Sequence, residues 1–289
     1  MHRDKQQKKV LAVHDISCIG RCSLTVALPI LSVASIETAI IPTSILSTHT
    51  GGFSGFTFRD LTDDILPVID HWQSLSLEFD SIYTGYLGSI KQLDIISTLF
   101  SRLKQADTLI FVDPVMGDHG KLYTNFSADF PSKMAKLCKH ADIIKPNMTE
   151  AFLMLDEPYI EGPYTKDYIE SIVKRLAQLG PKLVILTGVY LTGNENQIGV
   201  AAYQQQSDNI IYRFADKIDG VYHGTGDIFA STLLAALLNN QPLGEAISIA
   251  IAFTVNSIKR TKAAQTDVRY GVNFEAGLAE LGLLLQTKD

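Results

Sequence analysis

Short apolar runs alternate along the chain with longer stretches whose apolar residues recur every three to four positions. Lys9–Val13, Thr38–Ile41, Ser81–Thr84, Thr108–Val112, Asp142–Ile144 and Leu183–Thr187 have the length and composition of strands. Ser23–Ala34, Asp60–Gln73, Ile90–Lys104, Ser127–His140 and Ile169–Leu179 carry the helical period between them, and Gly180-Pro181 stops the last. Further on, Ile198–Gln204 and Ile210–Phe214 read as a hairpin across the polar turn Gln205–Asn209, followed by helices over Thr225–Leu238, Leu243–Lys259 and Phe274–Leu285. Strands alternating with helices of this length predict βαβ units, hence an α/β fold of three αβα layers around a central, mostly parallel sheet. Ligands of such sheets bind beyond the carboxyl ends of the strands. Motifs that begin where a strand ends are therefore the ones to inspect, with the loops Gly51–Phe58 and Asn194–Gln197 as candidate mobile cover.

Composition refines this picture. A chain of 289 residues with 46% hydrophobic and 19% charged residues can bury a sizeable core, and a single domain over 1–289 is expected, with residues 1–8 a flexible lead. The net charge is −6, and apart from the Lys8-Lys9 and Lys259-Arg260 pairs the basic residues are scattered, so there is no electrostatic footprint for nucleic acid. Any phosphate must be held by local geometry: backbone amides, a metal, one or two lysines. The apolar run after Lys9 meets His14-Asp15 after four residues, too short for a signal-peptide core, and Ala246–Val255 falls short of a membrane span. A cytoplasmic protein with no membrane partner is expected. Cys18, Cys22 and Cys138 are too few and odd in number for a disulfide framework, and Cys18, Cys22 and His14 fit no common zinc spacing.

Three motifs carry chemistry. His223-Gly224-Thr225-Gly226-Asp227 runs directly into the helix-forming segment Ile228–Leu238. Unpaired amides and the positive end of the dipole make a helix start an anion site. Asp227 there is either a helix cap or a general base. No Gly-x-x-x-x-Gly-Lys-Ser/Thr is present, which excludes a P-loop, and Phe229 stands where a dinucleotide fingerprint needs a small residue. Asp113-Pro114-Val115-Met116-Gly117-Asp118 begins as an apolar strand ends, and is either a plain turn or a pair of carboxylates able to hold a hard cation through water. In Lys145-Pro146-Asn147-Met148-Thr149-Glu150, Asn147 and Glu150 can form a capping box, and Glu150 could also reach a metal-bound water. Three carboxylate-bearing turns from separate strand ends, converging on one sheet edge, are the parts that phosphoryl transfer requires.

These motifs, with Ser47-Thr48-His49-Thr50-Gly51 and Tyr83-Thr84-Gly85-Tyr86-Leu87-Gly88, resemble those of ribokinase-like kinases and, within them, the vitamin B6 (pyridoxal/pyridoxine/pyridoxamine) kinases. The resemblance spans nearly the whole chain. Asp15–Ser23 is similar to the first-strand loop of bacterial pyridoxamine kinases, without the Ser-His of better-known pyridoxal kinases, at whose place stand Ala12 and Val13. The resemblance implies a kinase without a separate lid domain that uses ATP and Mg2+ to phosphorylate the hydroxymethyl group of a B6 vitamer. It implies Asp227 as base, the amides of Gly224, Thr225 and Gly226 as anion hole, and magnesium held by Asp113, Asp118 and Glu150, mainly through waters. Asn147, Thr187 and Lys217 would contact the nucleotide, and Ser17, His49, Thr50 and Tyr86 the pyridine side. Phe214–Tyr222 would cover ATP, and a homodimer is implied; whether K+ activates is left open. Lys145 stands where family members carry threonine, which puts the phosphate contact there in question. Two other readings stay open: a hydroxymethylpyrimidine kinase of thiamine synthesis, whose B6-active relatives often carry cysteine where Asp227 stands, and a non-catalytic protein that carries pyridoxal phosphate on a lysine.

Overall fold

The computed structural model describes residues 7–285. Of the expected flexible lead, residues 1–6 lie outside the described residues, whereas Lys8 is held to Asp80 by a 2.8 Å ion pair. The strands are β1 (Lys9–Ile19), β2 (Glu37–Thr48), β3 (Phe58–Asp60), β4 (Ser81–Thr84), β5 (Leu109–Val112), β6 (Gly117–Asp118), β7 (Lys121–Leu122), β8 (Ile143–Ile144), β9 (Leu183–Val189), β10 (Gln197–Gln204) and β11 (Asn209–Asp216). The helices are α1 (Leu24–Val33), α2 (Thr62–Ser74), α3 (Ile90–Leu103), α4 (Phe130–Cys138), α5 (Met148–Met154), α6 (Lys166–Ala177), α7 (Thr225–Leu238), α8 (Leu243–Ala264) and α9 (Leu278–Leu285).

One sheet runs in the order β11-β10-β9-β8-β5-β4-β1-β2-β3; its middle, from β9 to β2, is parallel, and β10, β11 and β3 are antiparallel additions at the edges. Alternate side chains of the same strands feed two cores. Leu11, Ile82, Ile110, Val112 and Val184 face α2 to α6, while Val10, Tyr83, Phe111 and Ile185 face α1, α7, α8 and α9. This is the expected three-layer αβα arrangement, and among the described residues only the two-residue strands β6 and β7 lie outside the main sheet.

The boundaries depart from the sequence reading where polar side chains disguise regular backbone. β1 continues six residues past Val13, because His14, Ile16, Ser17 and Ile19 pair with β2 after the neighbour β4 has ended. α2 begins at Thr62 because Asp60 is a strand residue paired with Ser44, and its carboxylate accepts the Thr62 amide at 2.7 Å. The final helix starts at Leu278, preceded by a tight 3-10 turn over Glu275–Gly277. β11 extends to Asp216, so the proposed cover over Phe214–Tyr222 is strand for its first three residues.

The turn after β4 is fixed from below by Gln92. Its Nε2 donates to the carbonyl of Thr43 (3.0 Å) and the hydroxyl of Thr62 (2.9 Å), and its Oε1 accepts the Gly88 amide (2.7 Å). Thr43 in turn donates its hydroxyl to the carbonyl of Tyr86 at 3.1 Å. One buried amide thus ties β2, α2 and the Tyr86–Gly88 turn together. Gln92→Leu is expected to lower stability by about 1–3 kcal/mol, the cost of leaving such buried partners unpaired, as read from the midpoint of a urea unfolding curve.

Candidate active site

Every chemistry-bearing motif lies at the carboxyl edge of the parallel strands. β1 leads into Gly20–Ser23, β4 into Gly85-Tyr86, β5 into Asp113, β8 into Lys145, and Thr187 on β9 pairs with Asn147 through an isolated bridge. The start of α7 meets this edge. Its first helical bond runs from the Ile228 amide to the Gly224 carbonyl at 3.0 Å, so the amides of Thr225, Gly226 and Asp227 precede the ladder. Gly224 has φ 77°, and a Cβ built there would stand 1.9 Å from the Arg21 carbonyl oxygen. Only glycine allows α7 to seat against the loop after β1. The Thr225 hydroxyl turns back to the Tyr222 carbonyl (3.1 Å).

Asp227, in the first turn of α7, accepts the Ser23 amide on Oδ2 at 3.0 Å. Burial raises its pKa above the ordinary carboxylate value, while the Ser23 amide and the charge of Lys145 oppose that rise. Lys145 is itself buried and forms a 2.9 Å ion pair with Asp113 Oδ2. Its ammonium is also the one group within contact of a Cβ built on Gly226, at 3.6 Å. Burial alone would lower the pKa of Lys145, but the charges of Asp113 and Glu150 hold it above its usual value.

Glu150 completes the expected capping box: its Oε2 accepts the Asn147 amide at 2.8 Å, and Asn147 Oδ1 accepts the Glu150 amide at 2.8 Å. Its Oε1 accepts the Met116 amide at 3.2 Å, binding the turn after β5 to the turn after β8. Burial, with Asp113 adding to it, lifts the Glu150 carboxyl to about 8; burial lifts Asp113 to about 6 against the pull of Lys145.

The fit to magnesium can be tested on these groups. Asp113 Oδ1 is buried with no hydrogen-bond partner, and the donors around it are carboxylate oxygens, the kind magnesium takes. Among the described residues no three acidic, histidine or cysteine side chains come close enough to bind one ion directly. Asp118 stands apart, its side chain 54% exposed and one oxygen on the His119 amide. The set therefore fits an ion held through water and substrate phosphates rather than a closed protein cage.

On the β1–β2–β4 side, Tyr86 is half-buried, hydrogen-bonded to Asn125 and packed on Phe126, and burial pushes its phenol up to about 12. Both ring nitrogens of His49 are engaged: Nδ1 accepts the Gly51 amide (3.1 Å), so Nε2 carries the proton and donates to the Arg269 carbonyl (2.6 Å). His49 also packs against His223 at 5.1 Å. Ser17 is buried and donates its hydroxyl to Asp15 at 3.2 Å, which leaves only its oxygen free to accept. Thr50 is exposed at the mouth of this side.

The sequence profile of the phosphomethylpyrimidine kinases matches residues 59–272, most of the chain. The chain belongs to that family. It lies within the ribokinase-like superfamily, as its sheet and flanking helices agree. Among solved structures, a Bacteroides thetaiotaomicron protein assigned to the phosphomethylpyrimidine kinases, crystallised with pyridoxal, is 39% identical with a TM-score of 0.91, covering 96% of each chain. The pyridoxal kinase of Lactobacillus plantarum is 33% identical with a TM-score of 0.87, covering 96% of this chain and 97% of that one. A Caenorhabditis elegans relative named for pyridoxal kinase is 29% identical over 215 residues. The matched segment spans 73% of this chain but 64% of that relative, and 61% of a Saccharomyces cerevisiae relative of the same description.

In this phosphomethylpyrimidine kinase family member, the structure brings Asp227, the α7 amides, Asp113, Glu150, Asn147 and Thr187 together at one edge. Asn147 is already occupied, its Nδ2 donating to the Gly117 carbonyl at 2.9 Å and its Oδ1 capping α5. Lys217 is exposed at the far end of β11, with its ammonium 5.6 Å from the ring centroid of Tyr190. Two residues of the site escaped the sequence reading. Asp15 and Ser23 lie in a strand and a loop without a motif of their own, and only the acidic residue within the Asp15–Ser23 segment hints at them. Gly224→Ala is expected to lose far more turnover than Gly226→Ala, by about a hundredfold or more, because its Cβ meets backbone while that of Gly226 only touches the Lys145 ammonium at ordinary contact distance. Equal losses in steady-state assays of the two variants would contradict this.

Proposed function

We propose that this chain is an ATP-dependent kinase that phosphorylates the hydroxymethyl group of a B6 vitamer. The observation that carries the reading is Asp227, held by the Ser23 amide beside the unpaired amides of α7 and across from the Lys145–Asp113 pair. The pyridoxal bound to the Bacteroides neighbour supports the choice of alcohol.

In this reading Asp227 takes the proton of the substrate hydroxyl as its oxygen attacks the γ-phosphorus. The new O–P bond forms, the bond to the bridging oxygen breaks, and ADP leaves with the electron pair. The amides of Thr225, Gly226 and Asp227 receive the charge on the transferring group, the kind of preorganised donor set that contributes most in a dry site. Lys145, where the resemblance led one to expect threonine, adds a fixed positive charge beside Gly226. Magnesium, when bound with ATP, would neutralise the phosphates, held through water by Asp113 and Glu150 with Asp118 at the rim. Asn147, Thr187 and Lys217 would line the nucleotide, and Ser17, His49, Thr50 and Tyr86 the ring.

The finer expectations belong to the same proposal. A homodimer is supported by the exposed Ile19 and Phe58, which the strand registers put on one face of the β1–β3 edge as apolar area that a second copy would cover. No described helix is long and apolar enough to cross a membrane, and the three cysteines are free thiols, which supports a reducing cytoplasm.

Hydroxymethylpyrimidine is the second reading, favoured by the family whose profile matches. ATP consumption with pyridoxal, pyridoxine, pyridoxamine and hydroxymethylpyrimidine side by side, with and without magnesium, separates the two. Preferred, magnesium-dependent turnover of the B6 vitamers is expected, and preference for the pyrimidine would move the chain to thiamine synthesis. Asp227→Asn is expected to lose about a hundred- to ten-thousand-fold in kcat with ATP affinity little changed. Because burial raises the Asp227 pKa, wild-type kcat/KM should fall as pH drops through a range above that of an ordinary carboxylate; an acid limb at the ordinary value would speak against Asp227 as base.

A further inference from the structure

Asp15 has no part in the chemistry described above, yet few carboxylates in the molecule are more confined. It sits where the β1–β2 register shifts between His14 and Ile16, a bulge of the kind that re-aims a side chain near a site. Its side chain is buried. One oxygen accepts the Ser23 hydroxyl at 2.5 Å and the other the Ser17 hydroxyl at 3.2 Å. Burial lifts its pKa to about 6, with the Ser23 bond opposing and the charge of Asp227 adding to the rise.

Ser23 is the unusual partner. Its φ of 54° and ψ of −128° are those of the first central residue of a type II′ turn, a conformation that glycine adopts freely and serine does not. No intrinsic preference holds a serine there, so the surroundings must. In that conformation the Ser23 amide points at Asp227 Oδ2, 3.0 Å away, while its hydroxyl is held by Asp15. The carboxylate, the strained residue and the base form a chain of three.

We infer that Asp15 is a positioning residue: its carboxylate clamps Ser23 in a glycine-type conformation, so that the Ser23 amide fixes Asp227 in line with the substrate hydroxyl. The inference rests on Asp227 being the base. Asp15 itself touches neither substrate nor phosphate in this role. It also differs from an ordinary packing residue, because its effect is routed through one backbone conformation and disappears if that conformation needs no clamp.

That property supplies the test. Four full-length variants, Asp15→Asn, Ser23→Ala, Ser23→Gly and the double variant Asp15→Asn/Ser23→Gly, would be compared with wild type. Each is assayed for kcat and for the KM of ATP on the alcohol that wild type turns over best, with a thermal melt as control. Asp15→Asn and Ser23→Ala are expected to lower kcat about ten- to a hundredfold, the scale of a misplaced catalytic group, with the KM of ATP little changed. Ser23→Gly should lose clearly less than Ser23→Ala, since glycine takes the conformation unaided. In the Ser23→Gly background, Asp15→Asn should cost only a small part of what it costs alone. An equal cost of Asp15→Asn in both backgrounds, or an equal loss for Ser23→Ala and Ser23→Gly, would overturn the inference. If Asp15→Asn does not fold, the comparison of alanine with glycine at Ser23 decides alone. Failure of the underlying reading looks different: Asp227→Asn would then keep its turnover whatever stands at Ser23.

Discussion

The contact between Gly224 and the Arg21 carbonyl sets the geometry on which the rest of the site depends. The two segments lie about two hundred residues apart in sequence, yet the backbone of one leaves no room for a Cβ on the other. Because glycine can take φ 77° there, α7 enters the sheet edge with its first amides exposed and with Asp227 under the loop that follows β1. A helix start displaced by one side chain would lose the Ser23 bond to Asp227 and move the amides relative to Lys145. The proposed anion hole, the proposed base and the charge opposite are therefore placed by one backbone approach rather than by three separate devices.

Electrostatics complete what that approach begins. Asp113, Glu150 and Asp227 share a single buried ammonium, that of Lys145, and burial raises all three carboxyls. Buried carboxylates are tolerated when they are paired or hydrogen-bonded, and each is only partly so. Glu150 has two backbone amides, Asp227 has one, and Asp113 has the lysine on one oxygen and nothing on the other. The cluster is thus short of positive charge without being unstable. In the proposed reading, a cation arriving with a nucleotide would find its most favourable partner at Asp113, whose Oδ1 has no other partner.

Much of this was legible in the sequence, for a physical reason. Asp113, Lys145, Asn147 and Gly224–Asp227 each follow a strand or open a helix, so the hydrophobic period that locates the elements also locates the motifs. The αβα layering and the hairpin of β10 and β11 follow from the same period. What stayed hidden lies where polar residues occupy regular backbone. The second half of β1 carries His14, Asp15, Ser17 and Cys18, which read as a loop, yet His14, Ile16, Ser17 and Ile19 pair with β2 around a bulge at Asp15. Asp15 and Ser23 gain their roles from a bulge and from a positive φ, neither of which a pattern of polar and apolar residues reports. Lys145 was visible as a departure from the family, but its pairing with Asp113 depends on two strand ends being neighbours. Asp118, close to Asp113 in sequence, lies on the separate strand β6 with its side chain half exposed, a displacement that sequence spacing does not report.

The strand order also bears on how one scaffold carries relatives named for two different substrates, phosphomethylpyrimidine and pyridoxal. The turns proposed to handle phosphate follow β5, β8 and β9, whereas those proposed to meet the ring follow β1, β2 and β4, the other half of the same sheet. Gly224 and Ser23 lie at the seam, where α7 leans on the loop after β1. In the proposed reading, changes around Tyr86, His49 or Thr50 would alter which hydroxymethyl compound is held without touching the Lys145–Asp113–Glu150 cluster. Changes at the seam cannot be so confined, because Ser23 bonds the proposed base directly and the nearby Arg21 carbonyl abuts Gly224. Selectivity in this fold is therefore free to drift on one side of the sheet, while the residues that couple the two sides are held by backbone contacts that admit few substitutes.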